Sequence, residues 1–222
     1  MVVVLGSGGH SGEMVSLLRN IDPTRYYHRT YIGSSGDSLA IVKALDIERT
    51  IQLKHNPRAT DPTDADALDS LTGIWDFKSV PRARRIHQSL ITAPFSSLWC
   101  LLGCLSALIE SAKTSKVAAF EYPDVIITNG PATAVMVILA SMILRFFGLA
   151  PVWKMKTIYV ESFARVNSLS LSGKVLLNLG FCNAFLVQWE RLATMINGTG
   201  ARKKVEWKGF LVETPGSVDI ES

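Results

Sequence analysis

One histidine inside a glycine-rich run is the residue of this chain best suited to proton transfer. Gly6-Ser7-Gly8-Gly9-His10-Ser11-Gly12 follows the apolar run at residues 2–5 and opens a stretch with Met14, Leu17 and Leu18 at helical spacing. At such a strand-to-helix passage, backbone N–H groups and the helix dipole converge on a point where phosphate can sit. Gly8, Gly9 and Ser11 are therefore candidate phosphate contacts. A histidine beside an anion site can take a proton from a hydroxyl near neutral pH, which makes His10 a candidate general base or a group that positions the attacking molecule. A tight turn explains the same glycines, and a capping role explains the same histidine. Glu13, in what reads as the first helical turn, is expected to be structural.

Two further segments offer chemistry. Asn129-Gly130-Pro131 ends the apolar run 125–128, and in open α/β sheets ligands gather at the carboxyl ends of strands. Glu161-Ser162-Phe163-Ala164-Arg165 follows the run 157–160 and brings a carboxylate, a hydroxyl and a guanidinium to the same rim. Asn129, Gly130, Glu161, Ser162 and Arg165 are thus candidate binding residues; the alternative for Glu161 and Arg165 is an ion pair with each other. Ser170 and its neighbours lead into another helix that they can cap. A dinucleotide fingerprint would need glycine where Ser11 stands and an acid where Gly33 ends the second strand, so NAD is not expected. Gly173-Lys174 lacks the rest of a Walker sequence.

The elements that must position these residues alternate. Apolar runs at 2–5, 29–33, 50–53, 125–128, 157–160 and 185–187 read as strands, with helices expected at 12–19 and 38–45 and a polar loop at 55–70. Short apolar runs bounded by helices suit a parallel sheet covered on both faces, so the expected class is α/β, Rossmann-like. The expected organisation is a single domain over residues 1–212 with a polar tail at 213–222.

Of the 222 residues, 48% are hydrophobic and 19% charged, which assures a core and excludes a disordered chain. The net charge is +4, matched by Lys78, Arg82, Arg84 and Arg85 in one acid-free patch. Nucleic acid is not an expected partner; one anionic surface or ligand is. Cys100, Cys104 and Cys182 have neither pairing partners nor histidines at ligand spacing, so they read as buried thiols in a reducing compartment, with no metal expected. No signal peptide is expected, because Val2 begins a strand at once. Residues 86–109 and 125–144 are uncharged, but Pro94 and Asn129-Gly130-Pro131 interrupt them, which favours core helices over membrane spans. One helix face resting on a bilayer would suit Arg82, Arg84 and Arg85 beside it; a solvated helix start is the plain alternative.

The glycine loop through Met14, Arg29-Thr30-Tyr31-Ile32, Arg82-Ala83-Arg84 with Gln88-Ser89, Asn129-Gly130-Pro131, residues 159–165, Leu169-Ser170-Leu171-Ser172-Gly173-Lys174 and Val187-Gln188-Trp189 together resemble one family in order and spacing. It is the family of membrane-anchoring subunits of the eukaryotic transferase that adds the second GlcNAc to GlcNAc-diphosphodolichol in asparagine-linked glycosylation. The resemblance covers residues 2–212. It implies the acceptor-binding N-terminal half of a GT-B glycosyltransferase split over two chains, at the cytosolic face of the endoplasmic reticulum membrane. A separate cytosolic catalytic subunit would carry the UDP-GlcNAc site, so this chain is expected to be inactive alone and to need no cofactor. The loop also resembles that of the bacterial transferase that adds GlcNAc to lipid-linked muramyl pentapeptide, with His10 at the corresponding position. The family usually opens with an anchor helix; here Met1 leads directly into the first strand, so either the apolar helices and the basic patch are expected to anchor the chain, or the true start lies upstream of Met1. A pure membrane scaffold and a self-sufficient nucleotide-binding enzyme are the rival readings.

Overall fold

Val2, Val3 and Val4 alternate between two apolar layers, and the rest of the fold follows from that strand. In the computed structural model, which describes residues 1–6, 8–55, 72–83, 93–113, 121–130, 132–198, 205–209 and 211, Val2–Val4 is strand β1 at the centre of a sheet. It is followed by α1 (Gly9–Leu18), β2 (His28–Ser34), α2 (Ser38–His55), β3 (Ile74–Val80), α3 (Ala93–Lys113), β4 (Val125–Thr128) and α4 (Ala132–Phe146). Then come β5 (Lys156–Val160), α5 (Leu171–Leu179), β6 (Ala184–Val187), α6 (Glu190–Gly198) and the two-residue β7 (Glu206–Trp207).

The seven strands run in the order β3-β2-β1-β4-β5-β6-β7, every pair parallel. Val2 is in register with Thr30 on one side and Ile126 on the other. The chain thus leaves β1 in one direction and returns to its opposite side at β4, and ligand crevices of doubly wound sheets open at that reversal. Val3, Leu5 and Tyr31 pack with α1 and α2 on one face. Val2, Val4 and Ile32 pack with α3 and α4 on the other, where Cys100 and Cys104 are buried. All three cysteines are buried free thiols. The α/β, Rossmann-like expectation holds.

Two elements differ from expectation. Residues 50–53 are not a strand; they complete α2, because Ala40, Ala44, Ile47 and Ile51 are buried at helical spacing, and that packing overrides the β-branched Thr50 and Ile51. The third strand is instead Ile74–Val80, whose Asp76 and Lys78 suit its place at the sheet's edge, where they pair at 3.3 Å. Residues 56–70 of the expected loop and the tail at 213–222 lie outside the described residues. The uncharged stretch 125–144 is divided between β4 and α4. Among the described residues α3 is the one helix long and apolar enough to cross a membrane, with a third (33%) of its apolar window buried. It packs into the core through Cys100, Cys104, Ala107 and Leu108, while Phe95 (76% exposed) and Trp99 (67%) face outward.

A buried ion pair braces β2 against α2. Arg29 donates to both carboxylate oxygens of Glu48 at 2.7 and 2.6 Å and to the carbonyls of Tyr26 and Thr72 at 2.8 Å. Tyr31 donates its hydroxyl to Glu48 at 2.6 Å. Burial pulls the Arg29 pKa down, but the Glu48 carboxylate outweighs it and the net shift is upward; burial, then Glu48, pushes the Tyr31 phenol up.

Candidate functional site at the sheet reversal

The helix carrying the glycine loop starts earlier than its apolar spacing indicates. It begins at Gly9, with Gly8 as N-cap at φ 63°, so His10 is a helical residue and Glu13 stands in the second turn. Gly8 and Gly9 are exposed, and among the described residues no side chain caps the helix, whose N-terminus lies at the carboxyl end of β1. Ser11 is turned the other way: it is buried, and its hydroxyl donates to the Gly8 carbonyl at 2.7 Å. It shapes the turn.

His10 meets the loop after β4 side-on. A Cβ on Gly130 would lie 2.7 Å from His10 Nδ1 and 2.9 Å from its Cγ, and Gly130 has φ 130°, so only glycine admits the imidazole here. Nδ1 is buried and, among the described residues, has no hydrogen-bond partner; the same is true of Asn129 Oδ1 and Thr128 Oγ1. Because Nδ1 is buried, a ligand of this imidazole would be met at Nε2. Asn129, itself buried, donates through Nδ2 to the His10 carbonyl at 2.6 Å and to Glu13 Oε2 at 3.4 Å.

The loop after β5 is tied to the same helix. Glu13 Oε1 accepts from the Ser162 hydroxyl at 2.7 Å and from the Phe163 N–H at 3.2 Å. Ser162 also donates its N–H to Glu161 Oε1 at 3.1 Å, and Glu161 Oε2 accepts from the Ser170 N–H and hydroxyl, both at 3.0 Å. Ser170 in turn caps α5 by accepting from the Gly173 N–H at 3.0 Å. The expected alternative of a Glu161–Arg165 ion pair is therefore corrected: Glu161 is buried and its oxygens go to residues 162 and 170, while Arg165 is exposed on the outer side of the turn. Trp189, after β6, closes the rim by donating to the Phe163 carbonyl at 2.7 Å and packing its ring 4.9 Å from that of Phe163. Sequence reasoning missed the parts played by Glu13 and Trp189; their partners lie 149 and 26 residues away, and the signal available was, for Trp189, its place just past the end of β6 and, for Glu13, its place on the helix that the glycine loop opens.

The basic patch is only partly described. Arg82 donates to the carbonyls of Ser35 and Gly36 at 2.9 and 3.0 Å, bracing the turn between β2 and α2. Arg84 and Arg85 lie outside the described residues. Four of the candidates, His10, Asn129, Gly130 and Ser162, come together with Glu13 in one contact and hydrogen-bond cluster at the sheet reversal, with the exposed Gly8 and Gly9 beside it.

A protein-family model described as "Oligosaccharide biosynthesis protein Alg14 like" matches residues 1–211. The UDP-N-acetylglucosamine transferase subunit alg14 of Aspergillus fumigatus is 39% identical over 90% of this chain and 100% of its own length. Its namesake in Schizosaccharomyces pombe is 39% identical over 87% of this chain and 77% of its own, and that of Rattus norvegicus 29% over 86% and 76%. Among solved structures, MurG of Acinetobacter baumannii is similar at a TM-score of 0.46 and 11% identity, over 85% of this chain and 40% of that one. A family match that runs from β1 past β7, with relatives this similar over three quarters or more of their own length, means that the chain belongs to the Alg14 family of oligosaccharide biosynthesis proteins.

Proposed function

We propose that this chain is the acceptor-binding and membrane-recruiting subunit of a two-chain UDP-GlcNAc transferase that extends GlcNAc-diphosphodolichol by a second, β-1,4-linked GlcNAc at the cytosolic face of the endoplasmic reticulum. The chain would be one half of a split GT-B enzyme, with the donor held by a cytosolic catalytic partner. The observation that carries the reading is that a glycine-led helix N-terminus and a histidine lie together at the β1/β4 reversal, where doubly wound sheets open their ligand crevice. The relatives' names as transferase subunits support it.

The chemistry divides between the two features. The exposed backbone at Gly8 and Gly9 suits the acceptor's diphosphate, because N–H groups and the helix dipole stabilise negative charge there. His10 Nε2 would take the proton from the acceptor sugar's hydroxyl as that oxygen bonds to the anomeric carbon of UDP-GlcNAc and UDP departs. A base at Nε2 requires the tautomer that already carries its proton on Nδ1, and that N–H persists in the imidazolium; Asn129 Oδ1 and Thr128 Oγ1, unpartnered among the described residues, are acceptors of the kind it needs. Glu161 contributes by holding Ser162 and Ser170 in position, and the outward Arg165 is free to meet an anionic group. Arg82, Arg84 and Arg85, with the outward face of α3, would rest on anionic lipid.

His10→Ala in the reconstituted complex tests this. Loss of a general base costs about 100-fold to 10,000-fold in rate, so turnover of a GlcNAc-diphospho-isoprenoid should fall at least 100-fold while partner co-purification and melting temperature stay near wild type. A loss under about fivefold per folded complex overturns the base role, and partner-dependent turnover that survives both this change and Gly8→Val supports a scaffold instead.

A further inference from the structure

Among the described residues Glu13 is the one side chain hydrogen-bonded to both the loop after β4 and the loop after β5. Its carboxylate bridges them from α1: Oε1 takes the Ser162 hydroxyl at 2.7 Å and the Phe163 N–H at 3.2 Å, and Oε2 takes Asn129 Nδ2 at 3.4 Å. Asn129 Nδ2 also reaches the His10 carbonyl at 2.6 Å. The residue that aligns the β4 loop against His10 is thus itself aligned by Glu13. From Glu13, the links continue through Ser162 and Glu161 to Ser170 at the N-cap of α5. A carboxylate suits this place because every group facing it is a donor: one hydroxyl, one amide N–H and one side-chain amide.

We infer that Glu13 is a positioning residue of the transfer reaction, fixing the Asn129 and Ser162 loops relative to His10 without touching substrate. This rests on the reading of the crevice as the acceptor site. The carboxylate is needed in kind as well as in shape. A glutamine at 13 still accepts from Ser162 and Phe163 through its carbonyl, but it then turns its NH2 toward Asn129 Nδ2, donor against donor. The Asn129 side loosens while the β5 side stays tied. An ångström-scale misplacement near reacting groups costs on the order of 100-fold in rate. The stability effect is small by comparison, since Glu13 is only half-buried.

The test uses the full two-chain complex with UDP-GlcNAc and a GlcNAc-diphospho-isoprenoid, comparing Glu13→Gln, Glu13→Asp and His10→Ala. Glu13→Gln should lower kcat about 10- to 100-fold, with the KM for UDP-GlcNAc unchanged and co-purification intact. Glu13→Asp keeps the charge but shortens the reach, so its kcat should fall between wild type and the glutamine variant; it also serves as the folded comparison if glutamine impairs assembly. A purely structural Glu13 would lower yield and melting temperature and leave kcat per folded complex untouched in both variants, which overturns the inference. Its failure is separable from failure of the functional reading: full kcat in both Glu13 variants with His10→Ala inactive sinks only the positioning role. A wild-type complex that does not use the lipid acceptor sinks the reading beneath it.

Discussion

Replacing Gly173 by alanine sets two opposing effects against each other, and the structure says which wins. Gly173 is the third residue of α5, and alanine is favoured over glycine within a helix by about 0.8–1 kcal/mol. A Cβ there, however, would stand 2.2 Å from Glu161 Oε2, 3.2 Å from Ser170 Oγ and 3.3 Å from Phe185 Cζ. The carboxylate must move, and it is 1% exposed with Oε2 taking two hydrogen bonds from Ser170. Bonds to an ionised group contribute about 1.5–3 kcal/mol each. Losing both costs roughly 3–6 kcal/mol, so the net destabilisation is about 2–5 kcal/mol after the helix preference is subtracted. Urea unfolding of the purified chain followed by circular dichroism measures this as a lowered midpoint at unchanged slope. Gly12→Ala is the control: that glycine lies within α1, and a Cβ on it meets nothing within 4 Å, so it should stabilise by up to about 1 kcal/mol. If Gly173→Ala matches wild type or gains stability as the control does, the reasoning about the Glu161 clamp is wrong.

Three other outcomes are expected. Glu48→Gln leaves the fully buried Arg29 without its counter-charge and should cost about 3–5 kcal/mol; thermal unfolding showing less than 1 kcal/mol would refute the role given to that pair. Phe95→Ser with Trp99→Ser should reduce flotation with phosphatidylcholine–phosphatidylserine vesicles at every salt concentration, whereas glutamine at Arg82, Arg84 and Arg85 should reduce it most at low salt; flotation unmoved by either set removes the α3 face as the docking surface. The isolated chain should show no binding of UDP-GlcNAc in calorimetric titration, and a micromolar dissociation constant would contradict the split-enzyme reading.

Local signals in the sequence reached some of this and not the rest. Val2–Val4 and the glycines after it form a strand-to-helix passage by residue type alone, and the ends of β4 and β5 were readable because Asn129-Gly130 and Glu161-Ser162 interrupt apolar runs. The extent of α2 was misjudged because Thr50 and Ile51 carry β-branched preference, whereas the deciding fact is which positions are buried against β2. Strand β3 was hidden by Asp76 and Lys78, which are tolerable only at an edge, and edges are a property of the assembled sheet. The same holds for Glu161: proximity in sequence pointed to Arg165, but a buried carboxylate takes the donors that the fold brings to it, here the N-cap of the next helix. Nothing local connects Glu13 to Ser162, since their bond exists only after β1 and β5 have been set two strands apart.

The central place of β1 also orders events at the ribosome. β1 can pair with β2, and β2 with β3, once Val80 is clear, but the other edge of β1 waits for Val125–Thr128. At roughly 5–20 residues per second of synthesis, that edge stands open for about 2–10 s. An apolar strand with unpaired N–H and C=O groups is a template for pairing with another chain, so this half-made sheet is the stage at which the nascent protein most needs a chaperone. The glycine loop and His10 are translated directly after β1, yet they wait for Gly130 and Ser162, which are made much later; a chain that stops between them carries the histidine without the loops that pack beside it.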